Sequence, residues 1–345
     1  MNWLLKTFFL LRRRGRALLN EILRKPSVAP GPLLCGRDKI ELPFIQGVNL
    51  PWLSYGSDFG ANAWSPQGGI ANAAKRDELR RICRELNARG VHTVRWFLFC
   101  DGRGGIRFTA SGTPVGPDPL LFADIDAALA IATEFQLRII FVLFDFLWFG
   151  AAAMVNGVQV RGRGNVIRGA HKQGALRRRV LKPLFTRYGR SPVILAWDII
   201  NEPEWATRGY GGDSESTIPY LTMRRFIKKT ARMVHRYTSQ LATVGLANGA
   251  GLPLVSDIGL DFYQVHWYDR WEAEAPLDRP VAEWNLDRPL LLGEYPTKNS
   301  TRSPEAIVAA AKKSGYCGAL GWSLLGADPA SGLNPVREAT GHARC

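Results

Sequence analysis

The stretch "VILAWDIINEPEW" (193–205) runs through apolar and β-branched residues and then stops on Asn201, Glu202 and Glu204. A near-continuous apolar run of this length reads as a strand buried on both faces. Closing it with an amide and two carboxylates makes sense only where the chain leaves the core at a place that needs polar groups. Seven further runs share the pattern: "FIQGVNL" (44–50), "VHTVRWFLF" (91–99), "LRIIFVLFDF" (137–146), "LATVGLA" (241–247), "LDFYQVHWY" (260–268), "PLLLGEY" (289–295) and "CGALGWSLL" (317–325). Amphipathic segments lie between them, among them "RDELRRICRELNARG" (76–90), "LFADIDAALAIATEF" (121–135), "YLTMRRFIKKTARMVHRY" (220–237) and "SPEAIVAAAKKSG" (303–315).

Eight buried parallel strands separated by helices predict an α/β protein, a single-domain (β/α)8 TIM barrel over residues 41–345 behind a basic N-terminal extension, residues 1–40. A doubly wound open sheet is the competing architecture. No glycine-rich phosphate turn follows the first strand, and "GRGNVIRG" (162–169) sits in a basic loop instead.

At 345 residues and 46% hydrophobic, the chain can bury a large core. Its net charge of +15 is concentrated in two segments. Residues 1–40 carry nine Lys/Arg against Glu21 and Asp38, and residues 159–190 carry ten with no acid. The remainder is slightly acidic and no nucleic-acid reading module is present, so no nucleic-acid partner is expected. The five cysteines are scattered and odd in number, which suits free thiols. The five histidines show no ligand spacing, so neither a metal nor a cofactor is expected.

"MNWLLKTFFLLRRRGRALLNEILRK" (1–25) has too short an apolar stretch to span a bilayer and lacks the order of a secretory signal. As a helix it places Leu4, Phe8, Leu11, Leu18 and Ile22 on one side, with arginines over much of the other. Two readings stand: peripheral contact with an anionic membrane surface, or a helix that covers the bottom of the domain. A location in the cytoplasm or at the inner membrane surface is expected rather than secretion.

Active sites of (β/α)8 barrels sit at the C-terminal ends of the strands, so polar residues there are candidates. They are Arg95, Asp145, Asn201, Glu202, His266, Tyr268 and Glu294, with Trp322 on the eighth strand. Glu202 and Glu294 lie three strands apart on the ring and should face each other across the mouth. Two opposed carboxylates suit glycosidic bond cleavage, one giving a proton to the leaving oxygen and the other attacking or activating water. Arg95 and Tyr268 would hold the nucleophile ionised, and an apolar setting beside a negative charge would raise the acid. Trp52, Tyr55, Phe59, Trp64, Trp148, Trp205, Tyr210 and Trp271 crowd the same loops and offer faces for sugar rings. Arg161, Arg163 and Arg168 could face an acidic glycan, whereas "HKQGALRRRVLKPLFTRYG" (171–189) reads rather as a solvated outer helix, since outer helices point away from the barrel mouth.

"WDIINEP", "VHWYD", "LLLGEYP" and "GALGWSLLG", in this order, resemble the retaining glycoside hydrolases of clan A, family 5 (cellulases and β-mannanases) above all. The resemblance spans roughly residues 40–330. It implies Glu202 as acid/base and Glu294 as nucleophile. It also implies Asn201 on the sugar 2-hydroxyl, Arg95 and Tyr268 supporting the nucleophile, His266 lining the site and Trp322 flooring the −1 subsite. The substrate would be a β-linked oligo- or polysaccharide, with Trp52, Trp205 and Asp145 in contact with it. One departure is the histidine that the family carries after the third strand: here the chain reads Asp145, Phe146, Leu147. A transglycosylase on similar glycans and a non-catalytic glycan-binding barrel at a membrane surface are the alternatives.

Overall fold

The computed structural model describes residues 32–35, 40–210 and 217–333; the basic segment 1–25, with its membrane reading, lies outside them. Eight parallel strands close into a barrel: β1 Ile45–Leu50, β2 Thr93–Phe97, β3 Arg138–Asp145, β4 Ile194–Asn201, β5 Leu241–Leu246, β6 Tyr263–His266, β7 Leu290–Pro296 and β8 Gly318–Trp322. β8 returns beside β1, with Gly318 opposite Ile45 and Gly321 opposite Val48. The expected (β/α)8 architecture is the observed one.

Four long helices of the outer layer follow the expected segments: α1 Ala73–Ala88, α2 Leu121–Glu134, α3 Tyr220–Tyr237 and α4 Pro304–Ser314. Their ends obey local chemistry. Asn72 caps α1 by accepting from the Ala74 amide, and Ser303 caps α4 through the Ala306 amide, so each satisfies a donor the helix cannot. Each helix buries one stripe, such as Leu79, Ile82, Cys83 and Leu86 of α1. The basic segment 171–189 is an outer helix too: Leu176, Val180, Leu184 and Phe185 are buried while Arg178 and Arg179 face out. Repeats five and six depart from the idealised pattern. The fifth has only the 3-10 turn Gly249–Gly251 and the short helix Leu252–Val255, and the sixth only 3-10 turns, Asp269–Trp271 and Val281–Trp284.

The barrel interior changes character along its axis. At the bottom, Leu33, Ile45, Ile140, Leu195, Phe262, Leu291 and Leu320 form a closed apolar plug. A ribbon of Leu34–Cys35 and Ile40–Glu41 leads into it. Further up the barrel, inward positions are taken by Asn49, Arg95, Asp198 and Gln264, all fully buried. This follows from the two-residue period of a strand, which carries one set of side chains inward from the apolar floor to the polar mouth.

Candidate active site

The central polar layer is organised by Arg95. Its Nε and Nη2 donate to Asp198 Oδ2 at 2.9 and 2.8 Å, and Nη2 also reaches Asn201 Oδ1 at 2.8 Å. Nη1 donates to Asn49 Oδ1 at 3.0 Å and to Glu294 Oε1 at 2.9 Å. Gln264 Nε2 adds a third donor to Asp198 Oδ2. Gly245 on β5 makes room for this fork: a Cβ there would lie 2.5 Å from Arg95 Nη2 and 3.0 Å from His266 Nε2. A guanidinium between two buried carboxylates is sustainable only because every donor is used.

Above this layer the strand ends turn their side chains into the mouth. The β4–β5 register slips between Asp198 and Asn201, and the β6–β7 register slips between Val265 and His266. Each slip is one extra residue, in β4 before Asn201 and in β7 before Glu294, and it turns those two side chains inward against the alternation, whereas His266 follows Phe262 and Gln264 in regular two-residue steps. Glu202 follows at φ 46°, ψ 52°, a left-handed conformation uncommon for a residue with a side chain, with its amide held by the Gly245 carbonyl at 2.7 Å. Pro203 then opens the 3-10 turn Pro203–Ala206. The NEP signature is thus a sharp turn that tips Glu202 inward while Glu204 goes back to the core, accepting from the Ala247 amide at 3.0 Å.

Glu202 and Glu294 meet around His266. One donor atom from each of the three lies within 4.8 Å of the others. His266 Nδ1 is 2.8 Å from Glu202 Oε1 and 3.4 Å from Glu294 Oε2. Among the described residues these three are the one set whose donor atoms could hold a metal ion. Trp205 Nε1 donates to Glu202 Oε2 at 2.8 Å, and Tyr268 Oη donates to Glu294 Oε2 at 2.8 Å. Asn201 bridges the layers, its Nδ2 donating to Asp145 Oδ2 at 2.8 Å. Burial pushes the Asp145 carboxyl up to about 7.

The protonation pattern corrects the expectation that Glu202 is raised and Glu294 held low. Burial acts upward on Glu202, but the hydrogen bond and charge of His266, with the Trp205 indole, bring its carboxyl below the usual value. For Glu294 burial prevails over the pull of His266 and Arg95, and its carboxyl is raised. The reason is His266, expected only to line the site, whose Nδ1 sits nearer Glu202.

A cleft of about 210 Å³ opens over the pair, lined by Trp52, Tyr55, Phe97, Asp145, Asn201, Tyr268, Arg270 and Trp322. Trp322 packs on Phe97, Cys100 and Val142 beneath the cleft. Of the other expected aromatics, Trp271 lies against Trp205 with ring centroids 6.3 Å apart. Trp148 and Phe59 belong to the core: Trp148 packs on Phe144 at 4.6 Å and Phe59 on Trp96 at 5.0 Å. Tyr210 stacks on Tyr220 and Trp64 sits under Arg103. Phe146 and Leu147 line the cleft where the family histidine is missing.

The three loop arginines are not cleft residues. Arg163 covers the Phe108 ring at 4.0 Å, Arg168 donates to the Thr217 carbonyl, and Arg161 is exposed in the loop. Asn49, Asp198, Gln264 and Arg270 were not anticipated. The signal for the first three was a lone polar residue at an inward position of an apolar strand. Arg270 follows "VHWYD" and carried no signal of its own.

No family model matches the chain. It is 26% identical over 321 residues to the mannan endo-1,4-beta-mannosidase of Mytilus edulis, covering 81% of this chain and 83% of the relative. Over 328 residues it is likewise 26% identical to the enzyme of that name from Cryptopygus antarcticus, covering 81% and 80%. The chain resembles the clan A glycoside hydrolases of family 5. The endo-1,4-beta-mannanase of Eisenia fetida superposes with a TM-score of 0.73 at 23% identity, over 87% of this chain and 92% of that one. At that identity the superposition speaks for the shared barrel. The sequence matches bear out the expectation of an O-glycosyl hydrolase, and so set aside the non-catalytic barrel.

Proposed function

We propose that the protein is a retaining endo-β-1,4-mannanase. The observation that carries this reading is the placing of the Glu202 and Glu294 donor atoms within 4.8 Å across the barrel mouth. Retaining glycosidases hold their carboxyl groups about 5–5.5 Å apart, whereas inverting ones leave about 6.5–9.5 Å for a water molecule. The mannan substrate is taken from the relatives of both comparisons.

In this reading Glu294 attacks the anomeric carbon while Glu202 protonates the departing oxygen, and Glu202 then takes a proton from the water that cleaves the glycosyl ester. Arg95 and Tyr268 donate to the two Glu294 oxygens and fix the direction from which it attacks. Asn201 spends one amide proton on Asp145, and the other is free for the sugar 2-hydroxyl. A ring seated over Trp322 would strip water from Glu202, and desolvation raises a carboxyl, which is the direction its acid role requires.

The test is proton NMR of the first product released from β-1,4-mannan, run beside cellulose and an acidic β-glycan. A β-anomer from mannan is expected. An initial α-anomer would exclude Glu294 as nucleophile, and preference for another glycan would exclude the mannanase assignment.

A further inference from the structure

Beyond the catalytic layer, the loop after β1 and the turn after β2 share a second organised cluster. The Arg103 guanidinium lies over the Tyr55 ring at 4.1 Å and over the Trp64 ring at 4.8 Å. Its Nε and Nη2 form a two-point ion pair with Asp101, at 2.8 Å to Oδ1 and 2.5 Å to Oδ2. The Tyr55 hydroxyl donates to Asp101 Oδ2 at 3.4 Å, and the Asp101 carbonyl receives the Arg161 amide at 2.7 Å. Asp101 thus ties three loops together. Gly56 permits the arrangement: its φ is +62°, and a Cβ would fall 2.3 Å from Arg103 Cδ. Trp52 meets the Tyr55 ring at 4.4 Å and 75°, and both rings line the cleft beside Trp322.

A nearly buried ion pair is a costly way to fill space, since apolar side chains of the same volume would do so with less desolvation. What the planar, two-point pair adds is orientation. The ring it orients is one that faces the cleft. The position of that ring relative to the scissile bond follows from the catalytic pair. Trp205 donates to Glu202, so the Trp205–Trp271 side is where the leaving group departs. Trp52 and Tyr55 follow β1, next to β8 and Trp322, on the other side.

We propose that Trp52 and Tyr55 form a sugar platform on the glycone side of the scissile bond, and that Asp101 and Arg103 are the pair that positions Tyr55 for it. The proposal rests on the reading of the cleft as a β-mannan-cleaving site. Arg103 touches no reacting atom; its effect reaches the substrate through an aromatic face.

The experiment uses the full chain and compares mannohexaose with mannotriose. In Arg103→Ala, KM for the hexaose should rise about tenfold with kcat within about twofold, and the loss with the triose should be several-fold smaller. Arg103→Lys should not rescue, because an ammonium cannot keep the two-point pair and the flat stack together. Tyr55→Ala removes the platform directly and should reproduce the KM effect even if the Arg103 variants fold poorly. Calorimetric binding of the two sugars to the Glu294→Gln protein reads the platform apart from turnover. Equal losses for both lengths, rescue by lysine, or binding to Glu294→Gln that does not strengthen with length would each overturn the proposal. Wild-type protein that cleaves no β-glycan would instead overturn the functional reading beneath it.

Discussion

Replacing Arg95 by methionine tests the central layer most severely. The substitution keeps much of the volume and removes a fully buried cation whose donors satisfy Asp198, Glu294, Asn49 and Asn201. Asp198 and Glu294 have side-chain exposures of 0% and 4%, so water cannot replace what is lost. Breaking a buried pair by deleting one partner costs about 3–5 kcal/mol, and here one cation serves two carboxylates, so a loss at the upper end is expected at neutral pH. That is a large share of the roughly 5–15 kcal/mol by which domains are stable. The loss should depend on pH. Burial already pushes the Glu294 carboxyl up, and without the guanidinium it would rise further. A carboxyl raised above its unfolded value destabilises the fold once the pH is high enough to ionise it, so the deficit should shrink toward acid pH. Urea unfolding of both proteins at pH 5 and pH 8, followed by intrinsic fluorescence, measures it. Arg95→Lys keeps the charge but not the fork, and should fall between the two. A deficit below about 1 kcal/mol, or one independent of pH, would falsify the account of a buried, charged Arg95 whose donors are all paired.

The two glutamates should separate by leaving group and by azide. Glu202→Ala should lose most activity on natural glycans and least on activated aryl glycosides, with azide restoring turnover as a β-glycosyl azide; Glu294→Ala should be nearly inactive on both, losing more than about 4 kcal/mol of transition-state stabilisation, and give only the α-azide. Exchange of those products between the variants reverses the roles. Glu204, raised to about 8 by burial, holds its proton in the folded state over a range where the unfolded chain has released it. Stability of the wild type should therefore fall between about pH 5 and 8 through this group, and Glu204→Gln should flatten that part of the profile; an unchanged slope in thermal melts would show that Glu204 does not titrate there.

Much of this was readable along the chain. Strand positions need only local information, because a strand buried on both faces is apolar along most of its length; β4 and the helix α3, Tyr220–Tyr237, fall where the pattern places them. The roles of strand ends in a closed barrel then single out Glu202, Tyr268 and Glu294, which the structure brings to one cleft, whereas Arg95, expected at a strand end, lies mid-way along β2 in the layer beneath it. Tertiary structure decided the rest, because it depends on distances between residues far apart in sequence. Trp148 and Trp205 both follow strand ends, yet one is fully buried in the core and the other donates to Glu202. The extra residues in β4 and β7 set which side chains reach the rim, and no propensity encodes a one-residue slip between paired strands. The proton preference of the pair was the least legible feature. It turns on His266 Nδ1 lying 2.8 Å from one glutamate and 3.4 Å from the other, a difference of a fraction of an ångström fixed by closure of the whole barrel.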